Sequence, residues 1–238
     1  MSAQQAKGLV WLLLTIGLAV GAAAGLPRLA RKVPWSVERV LARLLPVPQP
    51  RACEGGAEAR AALDALVRRL YPLDAEDAAL PLGVSVVASK EVNAFAGLNG
   101  RVSLNDGLLA AAESPEEAAG VLAHELEHVR RRHVIEGLVS RLVAFGGGPA
   151  RILARLSFGR KQEREADEGG LERLRRARVS TEGYERFFTR DEGSLLPALL
   201  SDHPASADRA ELVRRYRGGP SEPVLSAAQW RALRAICR

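Results

Sequence analysis

Apolar residues are spaced differently along different stretches of the chain. Residues 8–26 form an unbroken run with no charged side chain. At roughly 1.5 Å per residue such a run makes a helix of about 28 Å, near the hydrocarbon thickness of a bilayer. Pro27 and Arg28 end it. From Ala57 to Leu70 the spacing is helical, with Ala59, Leu63, Leu66, Val67 and Leu70 on one side. Short β-prone runs follow, Val84 to Ala88 and Arg101 to Leu104, bounded by Pro81, Gly83, Asn99, Gly100 and the Asn105-Asp106-Gly107 turn.

The next helix has a marked start. Ser114 is placed as N-cap, Pro115 suits the first helical position, and Glu117 completes a capping-box pattern. No proline interrupts this helix before His133. Residues 134–160 read as two amphipathic pieces joined at Gly146-Gly147-Gly148-Pro149, a further helix runs from about Lys161 to Arg176, and more helix follows to the end. The expected fold is mainly α with a small β-sheet, an α+β domain. The division is a tail at 1–7, a transmembrane anchor or signal segment at 8–26, a basic linker with Pro46, Pro48 and Pro50 at 27–54, and one domain at 55–238.

Charge changes this picture little. The net charge is +6, but residues 1–50 hold six basic side chains against Glu38 alone, while residues 51–238 hold 28 basic and 27 acidic. The domain is nearly neutral, and the basic excess lies beside the apolar run. That suits lipid headgroups rather than nucleic acid. Basic residues after the run exceed those before it, which favours a cytoplasmic domain. Cys53 and Cys237 point the other way, because a bridge between the domain ends would need an oxidising compartment. The extracytoplasmic side is the expectation taken from the cysteines.

The chemistry concentrates in His124-Glu125-Leu126-Glu127-His128. On a helix the two histidines are about 400° apart, so both rings leave one face one turn apart and can hold one zinc ion. Glu125 lies about 100° from His124 and can serve as general base without ligating the metal. Glu127 is about 100° from His128 and points aside, and His133, about 180° from His124, is no ligand candidate. A third ligand is expected from Glu163-Arg164-Glu165-Ala166-Asp167-Glu168. Glu163 and Asp167 share a face at i, i+4, so Glu163 can ligate while Asp167 accepts the second ring N–H of a ligand histidine. Glu168 with Glu172 is the alternative.

The order Asn93-Ala94-Phe95-Ala96, Arg101-Val102, Gly107-Leu108-Leu109, the His124–His128 motif and Glu163 to Asp167 resembles the HtpX and type I CAAX prenyl endopeptidase family of membrane-associated zinc peptidases. Asp202-His203-Pro204 followed by Arg209 resembles that family's C-terminal His-Pro element. The resemblance covers roughly residues 55–215. It implies a zincin-like domain behind an N-terminal membrane helix, with one Zn²⁺ per chain on His124, His128 and Glu163. It assigns the base to Glu125, oxyanion stabilisation to His203 and the substrate backbone to Asn93. Its substrates would be polypeptides of the membrane or envelope. A zinc-stabilised binding or chaperone module without catalysis is the alternative function. Two departures stand out: Glu127 where a small or apolar residue is usual, and Arg141, Arg151 and Arg155 where further spans are usual, which implies a single N-terminal anchor.

Overall fold

The computed structural model describes residues 25–45, 47, 50–72, 80–145, 157–189, 203 and 209–238. Among them are α1 (Trp35–Leu44), α2 (Ala57–Leu70), β1 (Gly83–Val87), β2 (Ala94–Ala96), β3 (Arg101–Asn105), α3 (Asp106–Ala111), α4 (Pro115–Arg130), α5 (His133–Phe145), α6 (Arg160–Arg176), α7 (Glu182–Thr189), α8 (Arg209–Tyr216) and α9 (Ala227–Arg234). The described chain is mainly helical with one three-stranded sheet, as the spacing predicts.

The sheet has the order β1-β3-β2. β1 runs parallel to β3 from Gly83 opposite Arg101, and β2 runs antiparallel to β3 with Phe95 opposite Ser103. β2 is three residues long, too short for alternation to declare it. Asn99 and Gly100 turn the chain from β2 to β3 with φ of 59° and 73°. A side chain at Gly100 would also meet the backbone of Pro81, so glycine is required there.

α4 is the axis of the domain. Ser114 Oγ accepts from the Glu117 amide at 3.3 Å, as expected, but the Glu117 carboxylate reaches back to the Glu113 amide at 3.0 Å rather than to Ser114. From Glu117 to Val129 every residue of α4 is buried. α6 and α7 pack on it, β2 and β3 lie along another side, and α2 also touches it. Leu122 and Leu126, fully buried one turn apart, each contribute roughly 1.5–3 kcal/mol by leaving water.

Cys53 and Cys237 form a disulfide with a Cα–Cα distance of 4.9 Å. It ties the ends of the domain together across 184 residues of sequence. In the chain-entropy account so long a loop is worth up to about 5 kcal/mol.

The predicted anchor lies, for residues 8–24, outside the described residues. No helix among the described residues is long and apolar enough to cross a membrane. Within the segment read as a linker, α1 is a helix docked on α5: Ala30, Leu41, Ala42 and Leu45 join Val134, Ile135, Leu138 and Phe158 in a second apolar cluster. The apolar stripe of α1 is only partly covered: Val37, Val40 and Leu44 are exposed, with Arg39 and Arg43 on the same helix, and Leu26 and Leu29 are exposed before it.

Candidate metal centre

His124 and His128 sit one turn apart on α4, and α6 brings Glu163 against them. Gly170 permits that approach: a Cβ there would stand 3.2 Å from the His124 backbone nitrogen, so a side chain would push α6 away from the motif. Gly120 does the same for α7, where a Cβ would come within 2.9 Å of Tyr184 Cα. Residue 203 adds a third imidazole.

One nitrogen or oxygen atom from each of His124, His128, Glu163 and His203 lies within 4.8 Å of the others. His124 Nε2 is 3.0 Å from His128 Nε2 and 3.4 Å from Glu163 Oε2. His128 Nε2 is 3.5 Å from Glu163 Oε1. His203 Nδ1 is 3.3 Å from His124 Nε2 and 3.2 Å from Glu163 Oε1. His124, His128 and Glu163 are 0% exposed and His203 is 1% exposed.

Convergent imidazole and carboxylate donors suit zinc or a similar divalent ion. Two observations fit such an ion. Among the described residues Glu163 Oε2 is buried with no hydrogen-bond partner, a costly state for a carboxylate unless something positive faces it. Glu163 and Asp167 face the buried guanidinium of Arg209, and Glu125 adds a third buried carboxylate beside Glu163. With neutral imidazoles this leaves a charge of −2 for a divalent cation to balance.

The protonation of the site shows the same pull. Burial opposes charge on His124, but hydrogen bonds to Asp167 and Glu163 outweigh it and raise its pKa to about 10. Burial would raise the Glu163 carboxyl, yet His124 and His203 lower it to about 2. Burial first, then the charges of His124 and His203, push His128 well below its ordinary value.

Asp167 stands where the spacing puts it, with Oδ1 3.1 Å from His124 Nδ1. Arg209 grips the same carboxylate with Nε to Oδ2 at 3.0 Å and Nη2 to Oδ1 at 2.9 Å, and Tyr184 Oη donates to Oδ1 at 2.5 Å. Asp167 is thereby held below the usual carboxylate range, since these partners outweigh its burial.

Glu125 is fully buried. Among the described residues neither of its oxygens makes a close hydrogen bond; His203 Nε2 is 3.4 Å from Oε1, and the backbone of Ala96 in β2 faces it. Burial raises its pKa above the ordinary glutamate value, against the charges of His203 and His124. A carboxylate with a raised pKa and unengaged oxygens can accept and return a proton.

The other candidates separate clearly. Glu127 points away from the donors and pairs with Arg130, Arg131 and Arg173. Glu168 is exposed and Glu172 pairs with Arg175 and Arg176, so the alternative third ligand is not at the cluster. Asn93 is buried at the start of β2, where its Oδ1 accepts from the Ala94 amide at 2.9 Å and its carbonyl accepts from the Asn105 amide at 3.1 Å.

Spacing missed three neighbours of the donors. Tyr184 comes from α7, which carries no motif. Phe158 stacks on His128 with ring centroids 3.8 Å apart. His133, dismissed on helical angle, lies beside His128 because α4 stops at Arg130 and Arg132 takes a left-handed φ of 63°. The helical angle does not carry across that turn.

Comparison with known proteins agrees with this geometry. The chain is 31% identical over 189 residues to a putative beta-barrel assembly-enhancing protease of Vibrio cholerae, covering 65% of this chain and 39% of that one. It is 30% identical over 161 residues to the metalloprotease LoiP of Escherichia coli, covering 56% and 62%. It is 34% identical over 148 residues to the mitochondrial metalloendopeptidase OMA1 of Arabidopsis thaliana, covering 55% and 30%. The chain thus spans less than two thirds of the length of these relatives. The profile of Peptidase family M48 matches residues 58–155 and 146–217. The match takes in α4, α6 and the donors they carry, and the chain belongs to peptidase family M48.

Proposed function

We propose that the protein is a zinc-dependent endopeptidase that hydrolyses peptide bonds with Glu125 as general base. The observation that carries this is the buried set of His124, His128 and Glu163 beside a Glu125 carboxylate whose oxygens lack close hydrogen bonds. A zinc ion held by these three donors would supply a Lewis acid that acidifies water and polarises a carbonyl. Glu125 takes the proton of the attacking water and returns it to the leaving amine. Asp167, fixed by Arg209 and Tyr184, holds the His124 ring with its proton on Nδ1.

The substrate fits as an extended strand along β2. This strand is at one end of the sheet order, and Ala96 in it faces Glu125, so a strand added there would pass the base. Asn93, immediately before β2, is proposed to hold that backbone. His203 is proposed as the donor to the oxyanion, a role worth about 3 kcal/mol. Its distance to His124 and Glu163 also supports a second reading, in which it is a fourth donor that closes the site. His203→Ala separates them: lost turnover at unchanged zinc affinity supports the oxyanion role, and lost zinc affinity supports the fourth donor.

Residues 8–26 are proposed as a membrane anchor followed by the domain at 55–238. The exposed Val37, Val40 and Leu44 beside Arg39 and Arg43 support a bilayer surface close to α1. The disulfide supports an extracytoplasmic domain. Proteins of the membrane or envelope, unfolded or misassembled, are the proposed substrates, in line with the names of the bacterial relatives. Within the family, the resemblance to the HtpX and CAAX branch rests on motif order.

Metal removal tests the reading. Full-length protein treated with chelator stops cleaving casein and recovers with one equivalent of zinc. A metal-bound chain that never cleaves, and whose binding survives Glu125→Gln, would instead be the non-catalytic binding module.

A further inference from the structure

A histidine that ligates through Nε2 as a neutral imidazole carries its proton on Nδ1 and must place it somewhere. His124 places its proton on the charged Asp167 carboxylate. Among the described residues His128 has no carboxylate at its Nδ1. Its neighbour there is His133 Nδ1, at 3.0 Å.

Each role in the row then follows. His128 Nε2 faces the other donors, so His128 Nδ1 donates and His133 Nδ1 accepts. The His133 proton must therefore sit on Nε2, which is 3.0 Å from Glu165 Oε2. Arg31 Nη1 donates to the same oxygen at 3.2 Å. The reverse arrangement fails: a proton on His133 Nδ1 would leave His128 protonated on Nε2, inside the donor cluster.

We propose that His133, backed by Glu165 and Arg31, is a positioning residue that orients His128 and sets its tautomer, so that metal affinity depends on the segment before α1. This rests on the metal reading above. The fold builds the row deliberately. His133 reaches His128 through the left-handed turn at Arg132, whose φ is 63°, a conformation uncommon in a non-glycine residue. That segment, continued into the first turn of α1, holds the turn at Arg132: Arg132 Nη1 is 2.6 Å from Glu38 Oε2, its Nη2 donates to the Val33 carbonyl, and its guanidinium lies 3.5 Å above the Trp35 ring. Arg31 also donates to Glu136 of α5, at 2.7 Å. One segment thus supports the turn that delivers His133 and the acceptor that fixes its proton.

The test is zinc titration of metal-stripped full-length protein against a chromophoric chelator. Co(II) absorption and the thermal midpoint of the metal-free protein are read alongside. His133→Phe keeps the ring shape and removes both nitrogens. It is expected to weaken zinc binding about 10- to 100-fold and shift the Co(II) bands, with the metal-free midpoint little changed. His133→Gln, whose amide can both accept and donate, should recover part of the affinity. Glu165→Gln and Arg31→Gln should give smaller losses in that order. Wild-type affinity and an unchanged Co(II) spectrum in His133→Phe would overturn the proposal. So would a lowered midpoint with an unchanged spectrum, which marks a packing role. If His133→Phe does not fold, Glu165→Gln decides, since its side chain is partly exposed: unchanged affinity there overturns the proposal. Wild-type protein that binds no zinc would overturn the metal reading itself.

Discussion

Two faces of α4 carry glutamates that differ by two positions in sequence and by everything else in surroundings. Glu127 is saturated. Arg130 and Arg173 surround it with Arg131, and together they outweigh its burial and hold its pKa at about 2. Glu125, on the other face, and Glu163, which α6 brings against it, are as deeply buried but among the described residues leave carboxylate oxygens without hydrogen bonds. A buried carboxylate surrounded by guanidinium groups is finished as structure. A buried carboxylate with idle oxygens, beside two imidazoles, is held ready for a cation or a proton.

The largest expected effect comes from breaking the unsaturated face. Glu163→Gln removes a donor itself, so zinc affinity should fall by more than the roughly 100-fold that loss of a supporting partner costs. Equilibrium titration measures this; an unchanged affinity would put the metal elsewhere. The saturated face should respond in stability instead. Glu127→Ala removes the partner that Arg130, Arg131 and Arg173 share and should cost about 1–3 kcal/mol in urea unfolding, with one zinc still bound. Because the folded pKa of Glu127 is depressed to about 2, its contribution is full above the ordinary glutamate pKa of about 4.3. It is lost as pH falls towards 2.

Asp167→Asn sharpens the contrast on a smaller scale. The amide keeps most of the shape but removes the charge that orients His124, so zinc affinity should drop about 10- to 100-fold. Gly170→Ala should be the mildest. Its Cβ meets the backbone of Ala123 and His124 at 3.2–3.3 Å, and backbone yields little. A loss of about 1 kcal/mol in stability, with some loss of zinc affinity, is the outcome to look for by thermal unfolding and titration.

How much of this was legible in the sequence follows from what local rules can see. The start of α4, the shared face of His124 and His128, and the Glu163–Asp167 pair all depend on spacing within one helix, and all stand where spacing puts them. Contacts that cross between elements were not legible. Tyr184 and Phe158 reach the histidines from segments whose spacing carries no signal. Helical angle sets His133 aside as a ligand, and it is not among the clustered donors, but the left-handed φ at Arg132 brings it beside His128, which spacing does not show. Pro46, Pro48 and Pro50 make the stretch after the apolar run read as linker, although Val37, Val40, Leu41, Leu44 and Leu45 just before them recur at the helical spacing that α1 adopts. The three-residue β2 is too brief for alternation. The Cys53–Cys237 bridge was foreseen only as far as domain ends tend to meet.

The central claim is that Glu125 serves chemistry and not metal binding. The most direct test is zinc content by elemental analysis together with casein cleavage, for full-length wild type and Glu125→Gln. The account predicts one zinc per chain in both and cleavage in wild type alone, with the variant slower by about 10²- to 10⁴-fold. Cleavage by Glu125→Gln at the wild-type rate, or absence of zinc from the wild type, would contradict it.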